Sequence, residues 1–299
     1  MKILVSGSTG LVGSALLPSL VTEGHTPTRL VRSFNKQATL SIGWDPSSSA
    51  LHPAPFEGFG AVIHLAGESI ATGRWTDAKK TRIRDSRVKG TRLLSETLAK
   101  LQQRPKVLIC ASAIGFYGDR GEERLTESSR MGSNFLARLC RDWEAATEPA
   151  VQGGIRVVHL RFGIILSPKG GALTKMLLPF KLGLGGKIGS GAQVMSWIAL
   201  DDVVGVILHA LKTGSLKGPV NTVAPQPVTN SEFTQTLGKV LHRPTIFPLP
   251  ALVAKLAFGE MADELLLSSA RVDPTALKTS GYAFNYPELE GALRHLLEK

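Results

Sequence analysis

The chain of 299 residues has a mass of 32.0 kDa, which is enough for one large α/β domain and a smaller unit. Hydrophobic residues make up 43% and charged residues 20% of it, and no apolar run approaches the roughly 20 residues of a membrane-spanning helix. The first residues are typical of a strand rather than a signal peptide. The only cysteines, Cys110 and Cys140, require no disulfide, so we expect a cytoplasmic location and no membrane partner.

The formal net charge is +11, from 35 Lys and Arg against 24 Asp and Glu. The densest basic region is residues 74–92, where Trp75 is the single aromatic residue. This region matches no nucleic-acid-reading motif, so a solvated helix face is favoured and no nucleic-acid partner is expected. The histidines are scattered, and no Cys/His cluster has metal-ligand spacing, so no metal site is predicted.

The first predicted element is a strand at residues 1–6, a short apolar run typical of a buried parallel strand. A G-x-x-G-x-x-G turn follows it directly and opens a segment whose apolar residues have helical spacing. A strand, this turn and a helix predict a dinucleotide-binding unit, in which the phosphates lie at the helix N-terminus. The residues expected to contact the cofactor here are Gly7, Thr9, Gly10, Leu11, Val12 and Gly13.

The second strand is predicted at residues 28–31, and the residues after it indicate which dinucleotide binds. Enzymes that select NAD usually place Asp or Glu about 20 residues beyond the glycines, where the carboxylate binds the ribose 2′-hydroxyl. This chain has Arg32 and Ser33 there. A guanidinium suits a phosphate better than a neutral ribose, so NADP(H) is the predicted cofactor. A solvated surface arginine is the alternative.

The fourth predicted strand, residues 61–67, ends in small residues. In an open parallel sheet, ligands lie beyond the carboxyl ends of the strands, so Leu65, Ala66 and Gly67 are expected to contact the cofactor. Gly67 also suits a simple strand end. Glu68 follows directly and places a carboxylate at the same edge, where it is a further candidate for cofactor binding.

The remaining elements alternate between helix and strand. Helices are predicted at 76–101, 134–146, 201–211 and 230–241, and strands at 40–45, 107–112, 156–165, 194–198 and 220–223. Such alternation predicts an α/β fold with a Rossmann-type, doubly wound parallel sheet and right-handed crossovers. Ile165, at the carboxyl end of its strand, is expected to contact the cofactor.

A change of character after residue 166 suggests two domains. Residues 1–166 are predicted to form the NADP-binding Rossmann domain, with a sheet completed by residues 220–223. Residues 167–299 are predicted to form a substrate-side region, ending in a smaller unit at about 245–297. Glycines crowd residues 183–191, which suits a mobile loop over a site.

Eight ordered stretches of the chain resemble the atypical "epimerase family" group of the extended short-chain dehydrogenase/reductases. They are SGSTGLVG (6–13), HLAGESI (64–70), RDSRVKGTRLL (84–94), SAIGFYGD (112–119), WEAA (143–146), LPFKLGLGG (178–186), VNTVAPQPVTNSEF (220–233) and GEMADELLLSSARV (259–272). The resemblance covers nearly the whole chain and implies an NAD-dependent epimerase/dehydratase-like fold with a family-specific C-terminal domain. It also implies nucleotide-sugar epimerase activity for bacterial members and a division-associated role for some photosynthetic relatives. A substrate for the group is not established.

The resemblance also implies a catalytic Tyr-x-x-x-Lys pair, and here the chain departs from the pattern. Counting back from Glu144, the Tyr position falls at Leu136 and the Lys position at Cys140. Leu136 cannot transfer a proton, and a thiol cannot supply a fixed positive charge. Arg87 corresponds to the helix Asn of the family, and its guanidinium is a candidate ligand for pyrophosphate, ribose or an anionic substrate.

Three residues are candidates for the missing chemistry. Ser112 is a candidate hydrogen-bond donor near the nicotinamide or substrate, although alignment on residues 116–118 puts Ala113 at the usual hydroxyl position. Tyr117 is a candidate acid/base, with a packed aromatic as the alternative. Cys140 is a candidate nucleophile, with a small buried apolar residue as the alternative.

Two functions follow from these observations. The first is an NADP(H)-dependent oxidoreductase or epimerase acting on a small carbonyl or hydroxyl compound, for which the resemblance suggests a nucleotide sugar. The second is an NADPH-binding regulatory or protein-interaction protein without turnover, suggested by the absent Tyr/Lys pair. Because extended relatives often pair through two helices of the first domain, a homodimer is a further expectation.

Overall fold

Apolar runs that alternate with amphipathic segments form a parallel sheet flanked by helices. The structure is a computed structural model, and it describes residues 1–32 and 40–298. The strands are β1 (Lys2–Ser6), β2 (Thr26–Val31), β3 (Ser41–Gly43), β4 (Ala61–His64), β5 (Val107–Ala113), β6 (Arg124–Leu125), β7 (Arg156–Phe162), β8 (Ile164–Leu166), β9 (Val194–Met195), β10 (Trp197–Ala199), β11 (Gly218–Thr222), β12 (Val228–Thr229) and β13 (Arg271–Val272). The helices are α1 (Leu11–Thr22), α2 (Asp77–Ala99), α3 (Phe135–Ala145), α4 (Glu148–Gln152), α5 (Gly171–Lys181), α6 (Leu200–Lys212), α7 (Asn230–Leu241), α8 (Ala251–Phe258), α9 (Thr275–Thr279) and α10 (Leu289–Leu297).

Seven strands form the central sheet in the order β11-β7-β5-β4-β1-β2-β3, and every neighbouring pair is parallel. The strand order reverses beside β1, which is the switch point at which open α/β sheets bind ligands. Ile3, Leu4 and Val5 of β1 are fully buried because helices cover both faces of the sheet. The predicted α/β fold with a doubly wound parallel sheet is confirmed.

The two faces of the sheet have separate apolar cores. On one face, Ile3 and Val5 pack with Leu16 and Leu20 of α1 and with the buried side of α6. On the other face, Leu4 joins a cluster that includes the apolar side of α2. Both cores hold the carboxyl ends of β1 and β4 in register, with Ser6 opposite His64, and so fix the edge at which a cofactor is expected.

The prediction of one strand at residues 156–165 is wrong in one respect, because the strand is interrupted at Gly163 and forms two strands, β7 and β8. A Cβ atom on Gly163 would lie 2.5 Å from the carbonyl oxygen of Ser196, so two backbones pass in direct contact there. Strand β8 consequently leaves the main sheet and pairs with β10, taking Ile165 with it. The chain also forms helix α5 in a stretch where no helix was predicted.

The last third of the chain adds an edge strand to the sheet and then contacts the loops beside it. Strand β11 pairs with β7 at the edge of the central sheet. Helices α7 and α10 pack together in a third core around Trp197 and Phe233. Strand β13 then pairs with β6, so the C-terminal residues contact the loops that follow β5. Among the described residues, no helix is long and apolar enough to cross a membrane.

Candidate cofactor and substrate site

The glycine loop after β1 is closed so tightly that two of its positions exclude any side chain. Gly7 has φ of 66°, and a Cβ there would lie 2.6 Å from the carbonyl carbon of Leu65. A Cβ on Gly13 would lie 2.3 Å from the carbonyl oxygen of Gly7. A substituent at Gly10 would meet that oxygen at 3.2 Å, which is tight rather than forbidden. The loops after β1 and β4 therefore meet backbone to backbone, as an enclosing phosphate cradle requires.

The N-terminus of α1 is available to an anion. Within residues 1–32 and 40–298, no side chain caps it, whereas Thr76, Asn134 and Thr229 cap α2, α3 and α7. The hydroxyl of Ser8 is buried beside the loop, and no partner for it occurs among the described residues. Free N–H groups and an unpaired hydroxyl at a helix N-terminus fit a pyrophosphate.

Other predicted loop contacts surround this N-terminus. Thr9 and Gly10 are exposed, and Val12 packs against the adjacent core. The Leu11 side chain reaches the loop before α5, where a Cβ on Gly171 would lie 3.5 Å from Leu11 Cδ2. That same Cβ would lie 3.5 Å from the carbonyl oxygen of Ile165. Strand β8, although outside the main sheet, therefore borders the predicted site.

Arg32 follows β2 directly and has an exposed side chain. Its charge acts on Glu68, which follows β4, so the structure brings these two predicted site residues close together. The hydrogen bond from Lys79 holds the pKa of Glu68 below its ordinary value, and Arg82 and Arg32 add to this effect. Of these cations, Lys79 contacts the Glu68 carboxylate directly, at 2.7 Å. Ser33 lies outside the described residues.

Glu68 holds the loop after β4 in place through three contacts with α2. Its carboxylate lies 2.7 Å from the amine of Lys79, a nearly buried lysine on α2. Its backbone N–H donates to the Ser86 hydroxyl at 3.0 Å, and its carbonyl accepts from Arg87 at 2.9 Å. The turn at Leu65, Ala66 and Gly67 is consequently held against α2 and presented to the glycine loop.

Arg87 is a half-buried guanidinium between α2 and α3. It donates to the carbonyl oxygens of Glu68 and Ile83, and it lies over the Trp143 ring at 5.1 Å from the centroid. A Cβ on Gly67 would lie 3.2 Å from its Cζ, so a glycine is needed for this contact. Burial lowers the pKa of Arg87, and the nearby Cys140 thiol and Glu68 carboxylate partly offset that effect. Among the described residues it forms no ion pair, which leaves its charge available to a ligand.

Leu136 and Cys140, on the first turns of α3, are both buried. The Leu136 side chain packs so closely on Gly115 that a Cβ there would lie 3.2 Å from Leu136 Cβ. Burial raises the pKa of the Cys140 thiol to about 12. The candidate nucleophile is therefore protonated at neutral pH and inaccessible, and its position fits the alternative of a small buried apolar residue.

Ser112 belongs to a buried polar network rather than to an open surface. Its hydroxyl donates to Glu144 at 2.7 Å. The same carboxylate accepts two bonds of 2.8 Å from Arg161, whose guanidinium lies 3.5 Å from the centroid of the Phe116 ring. The hydroxyl predicted to face a substrate is therefore already engaged by Glu144.

Tyr117 completes this network on its other side. Its ring is fully buried, and its hydroxyl donates to Asn221 at 2.6 Å and accepts from Arg161 at 3.0 Å. Asn221 in turn donates to the carbonyl oxygen of Asp273. Burial raises the pKa of the Tyr117 phenol. Both the hydroxyl and the ring are enclosed, which fits the alternative of a packed aromatic better than an acid/base role.

A cleft of about 660 Å³ opens beside the N-terminus of α3. Glu264 lies on its wall, and its two carboxylate oxygens accept the N–H groups of Phe135 and Leu136 at 3.0 and 2.9 Å. Burial raises the pKa of Glu264. Sequence reasoning missed this residue, because 128 positions separate it from Leu136 and no motif links them. The remaining lining residues include Asp119, Asn134, Gln193, Lys255, Glu260 and Ser268.

The sequence matches the NAD dependent epimerase/dehydratase family over residues 3–222. The chain belongs to this family. A second match, to a domain of unknown function, covers residues 249–296 and contains α8 to α10 together with Glu264. The resemblance inferred from the sequence, with its separate C-terminal unit, is confirmed.

Other members of the epimerase family match along nearly the whole chain. An epimerase family protein of Mycobacterium bovis is 43% identical over 97% of this chain and 96% of its own length. The crystal structure of the human epimerase family protein SDR39U1 with NADPH superposes with a TM-score of 0.92 at 35% identity, covering 100% of both chains. A nucleoside-diphosphate sugar epimerase from Corynebacterium glutamicum superposes with a TM-score of 0.83 at 38% identity, over 99% of this chain and 58% of that one.

Proposed function

We propose that this chain binds NADP(H) at the carboxyl edge of its sheet and uses it to reduce or oxidise a small carbonyl or hydroxyl compound. The observation that carries the proposal is the uncapped N-terminus of α1 behind its tight glycine loop, with a Ser8 hydroxyl that has no partner among the described residues and with Arg32 directly after the next strand. The human relative whose structure contains NADPH has the same fold over the entire chain, which supports this cofactor.

Each part of the site has a distinct task in this proposal. The glycine loop and α1 hold the pyrophosphate, and Arg32 pairs with the 2′-phosphate. Arg87 supplies, from α2, the positive charge that the family pattern places on α3 at Cys140, and it acts on the nicotinamide ribose. When bound, the cofactor supplies or accepts a hydride. The substrate occupies the cleft beside α3, and the Corynebacterium relative makes nucleotide sugars the first class to test.

Replacing Arg32 with alanine is expected to weaken NADPH binding about 10- to 100-fold and to leave NADH binding nearly unchanged, because a charge-assisted bond to phosphate is lost. Isothermal titration calorimetry at low salt with both reduced cofactors measures this. Arg92→Ala, on the outer face of α2, removes an equal charge from a surface ion pair and serves as the control. Equal weakening for both cofactors would remove the argument for NADP(H), and no affinity of the unmodified protein for either would refute the proposal.

Glu264 is the titratable group that we propose as proton donor during carbonyl reduction. Glu264→Gln is expected to lower kcat about 100-fold while NADPH affinity stays unchanged, since the amide keeps the shape but carries no transferable proton. Because burial raises the pKa of Glu264, its acidic form persists to higher pH than in a free glutamate. The reductive kcat should therefore be highest at low pH and fall as the pH rises through this raised pKa.

The control for that experiment is Glu260→Gln, which changes another carboxylate on the same cleft. Glu260 pairs with Lys80 at 2.8 Å, and within the described residues it has no hydrogen bond or ion pair to α3. Steady-state kinetics over a pH series should show a profile of the usual shape for Glu260→Gln, displaced somewhat to lower pH because the Glu260 charge helps to raise the pKa of Glu264, and a flattened profile for Glu264→Gln. Equal kcat values in both variants would leave bound water as the proton source.

A second candidate function is NADP(H) binding without turnover, as a redox-responsive partner of another protein. The observation that favours it is the condition of the three predicted catalytic groups: the Ser112 and Tyr117 hydroxyls are engaged, and the Cys140 thiol is buried. A panel of aldehydes, ketones and nucleotide sugars separates the two functions. Tight NADPH binding with no oxidation of it by any panel member supports the second.

A further inference from the structure

Large apolar side chains are exposed on one part of the surface. Of the exposed large hydrophobic residues in the described chain, nine lie between positions 178 and 258, against four elsewhere. We call these nine the apolar face: Leu178, Leu182, Leu184, Ile246, Phe247, Leu252, Val253, Leu256 and Phe258. An exposed cluster of this kind marks an interaction surface, whereas scattered single residues do not.

The segments that carry the apolar face lie side by side. The backbone N–H of Phe247 donates to Gly185, and that of Leu249 donates to Lys187. The Arg243 guanidinium donates to the carbonyl oxygen of Lys181 at 2.9 Å. Residues 182–187 and 243–249 are therefore neighbouring segments, and α8 begins directly after the second. The predicted mobile loop at 183–191 is held here by backbone hydrogen bonds.

Helix α8 buries a small residue and exposes large apolar ones, which is the reverse of an ordinary surface helix. Its small Ala254 is fully buried, whereas Leu252 and Leu256 are 69% and 68% exposed. A surface helix of a protein that meets only water buries its large apolar residues and exposes polar ones. The reversed arrangement leaves Leu252 and Leu256 largely uncovered by the described part of the chain.

The segments that carry the apolar face contain basic residues and no acidic ones, although Glu260 and Asp263 follow α8 directly. No Asp or Glu occurs in residues 149–200 or 233–259, which contain every member of the face. Lys181, Lys187 and Arg243 are exposed within it. Lys255 is exposed too, and its amine pairs with Asp263, beyond the end of α8, at 2.8 Å. A second copy of the chain docked face to face would bring cations against cations, so the occupant should be anionic.

We propose that the apolar face docks on an anionic phospholipid surface, with its leucine, isoleucine and phenylalanine side chains inserted among the acyl chains. The surrounding lysine and arginine side chains contact the headgroups. Insertion of apolar side chains together with attraction of Lys and Arg to anionic lipid is how peripheral proteins bind membranes. The sequence predicted no membrane partner because it offers no spanning helix, but a peripheral contact needs none. This proposal is independent of the cofactor.

Vesicle flotation tests the proposal with the full chain. The probes are vesicles of phosphatidylcholine alone and of phosphatidylcholine mixed with phosphatidylglycerol. The unmodified protein should float with the mixed vesicles at low salt, bind them less as salt screens the charges, and bind the neutral vesicles weakly. Leu252→Gln/Leu256→Gln should reduce binding to mixed vesicles about tenfold or more. Lys181→Gln/Lys187→Gln should make the binding to mixed vesicles less dependent on salt.

The matched control is Val21→Gln/Val151→Gln, which changes two apolar residues that are 60% and 48% exposed outside the face. It should bind vesicles as the unmodified protein does, and all variants should keep their circular dichroism spectra and NADPH affinity. No binding to mixed vesicles at low salt, or an equal loss in the control, overturns the proposal. A dimer that light scattering detects, and that Leu252→Gln/Leu256→Gln dissociates without any vesicle binding, assigns the face to a second copy instead.

Discussion

Replacing Gly13 with alanine is expected to reduce NADPH affinity about 100-fold or more, although alanine is the better helix former. Gly13 lies inside α1, where alanine would favour the helix by about 1 kcal/mol. The new Cβ would, however, lie 2.3 Å from the Gly7 carbonyl oxygen and 2.7 Å from Ser8 Cα. Both atoms belong to the backbone, so the loop itself must move away from the helix. Weaker backbone N–H bonds to a bound pyrophosphate would account for a change of this size.

The same displacement should lower the free energy of unfolding by about 1–3 kcal/mol, as overpacking of a rigid site does. Gly291→Ala is the matched control, because Gly291 lies in α10 and an added Cβ would meet nothing within 4 Å. This control should equal or exceed the stability of the unmodified protein and bind NADPH normally. Fluorescence titration and urea denaturation measure both quantities. Unchanged affinity in Gly13→Ala would mean that the pyrophosphate does not lie in this loop.

The glycine loop could be predicted from sequence because everything that defines it is local. Gly7, Gly10 and Gly13 lie within one turn and helix, and the strand before them has a recognisable apolar pattern. Arg32 is similarly defined by its distance along the chain from the glycines. Backbone geometry fixes such positions with little dependence on the remainder of the fold.

The proton-transferring candidates could not be predicted in this way, because distant residues decide their state. The partner of the Ser112 hydroxyl is 32 positions away, and that of the Tyr117 hydroxyl is 104 positions away. Glu264 belongs to the C-terminal unit and lies 128 positions after Leu136, whose N–H it accepts. A family pattern supplies the expected positions, but it cannot indicate which substitute another part of the chain brings to them.

The apolar face could not be predicted from the sequence for a different reason. Leu252 and Leu256 have the same spacing as a buried helix face, and periodicity predicts that such residues point inward. Hydrophobic periodicity reports that a face is apolar, and not what covers it. The structure was needed to show that Ala254, rather than either leucine, faces the protein.

Replacing Glu144 with alanine is expected to lower the unfolding free energy by about 3–5 kcal/mol, because it leaves the buried Arg161 charge without its carboxylate. Arg161 and Glu144 are 4% and 13% exposed, and two parallel bonds of 2.8 Å join them. Arg161 also holds the Tyr117 hydroxyl, whose next partner is Asn221 on β11. The ion pair therefore connects α3 with two strands of the sheet.

Asp142→Ala is the matched control, since Asp142 lies on α3 like Glu144 and forms only surface ion pairs, with Arg84 of α2 and with the neighbouring Arg141. The Arg84 guanidinium is half-exposed and lies 3.1 Å from the Asp142 carboxylate, so losing this pair should lower the free energy of unfolding by less than about 1 kcal/mol. Urea denaturation at equal m-values compares the two variants. Similar costs would show that solvent reaches Arg161 and that the network does not hold these elements together. A large difference would mean that the Ser112 and Tyr117 hydroxyls belong to a network that stabilises the fold.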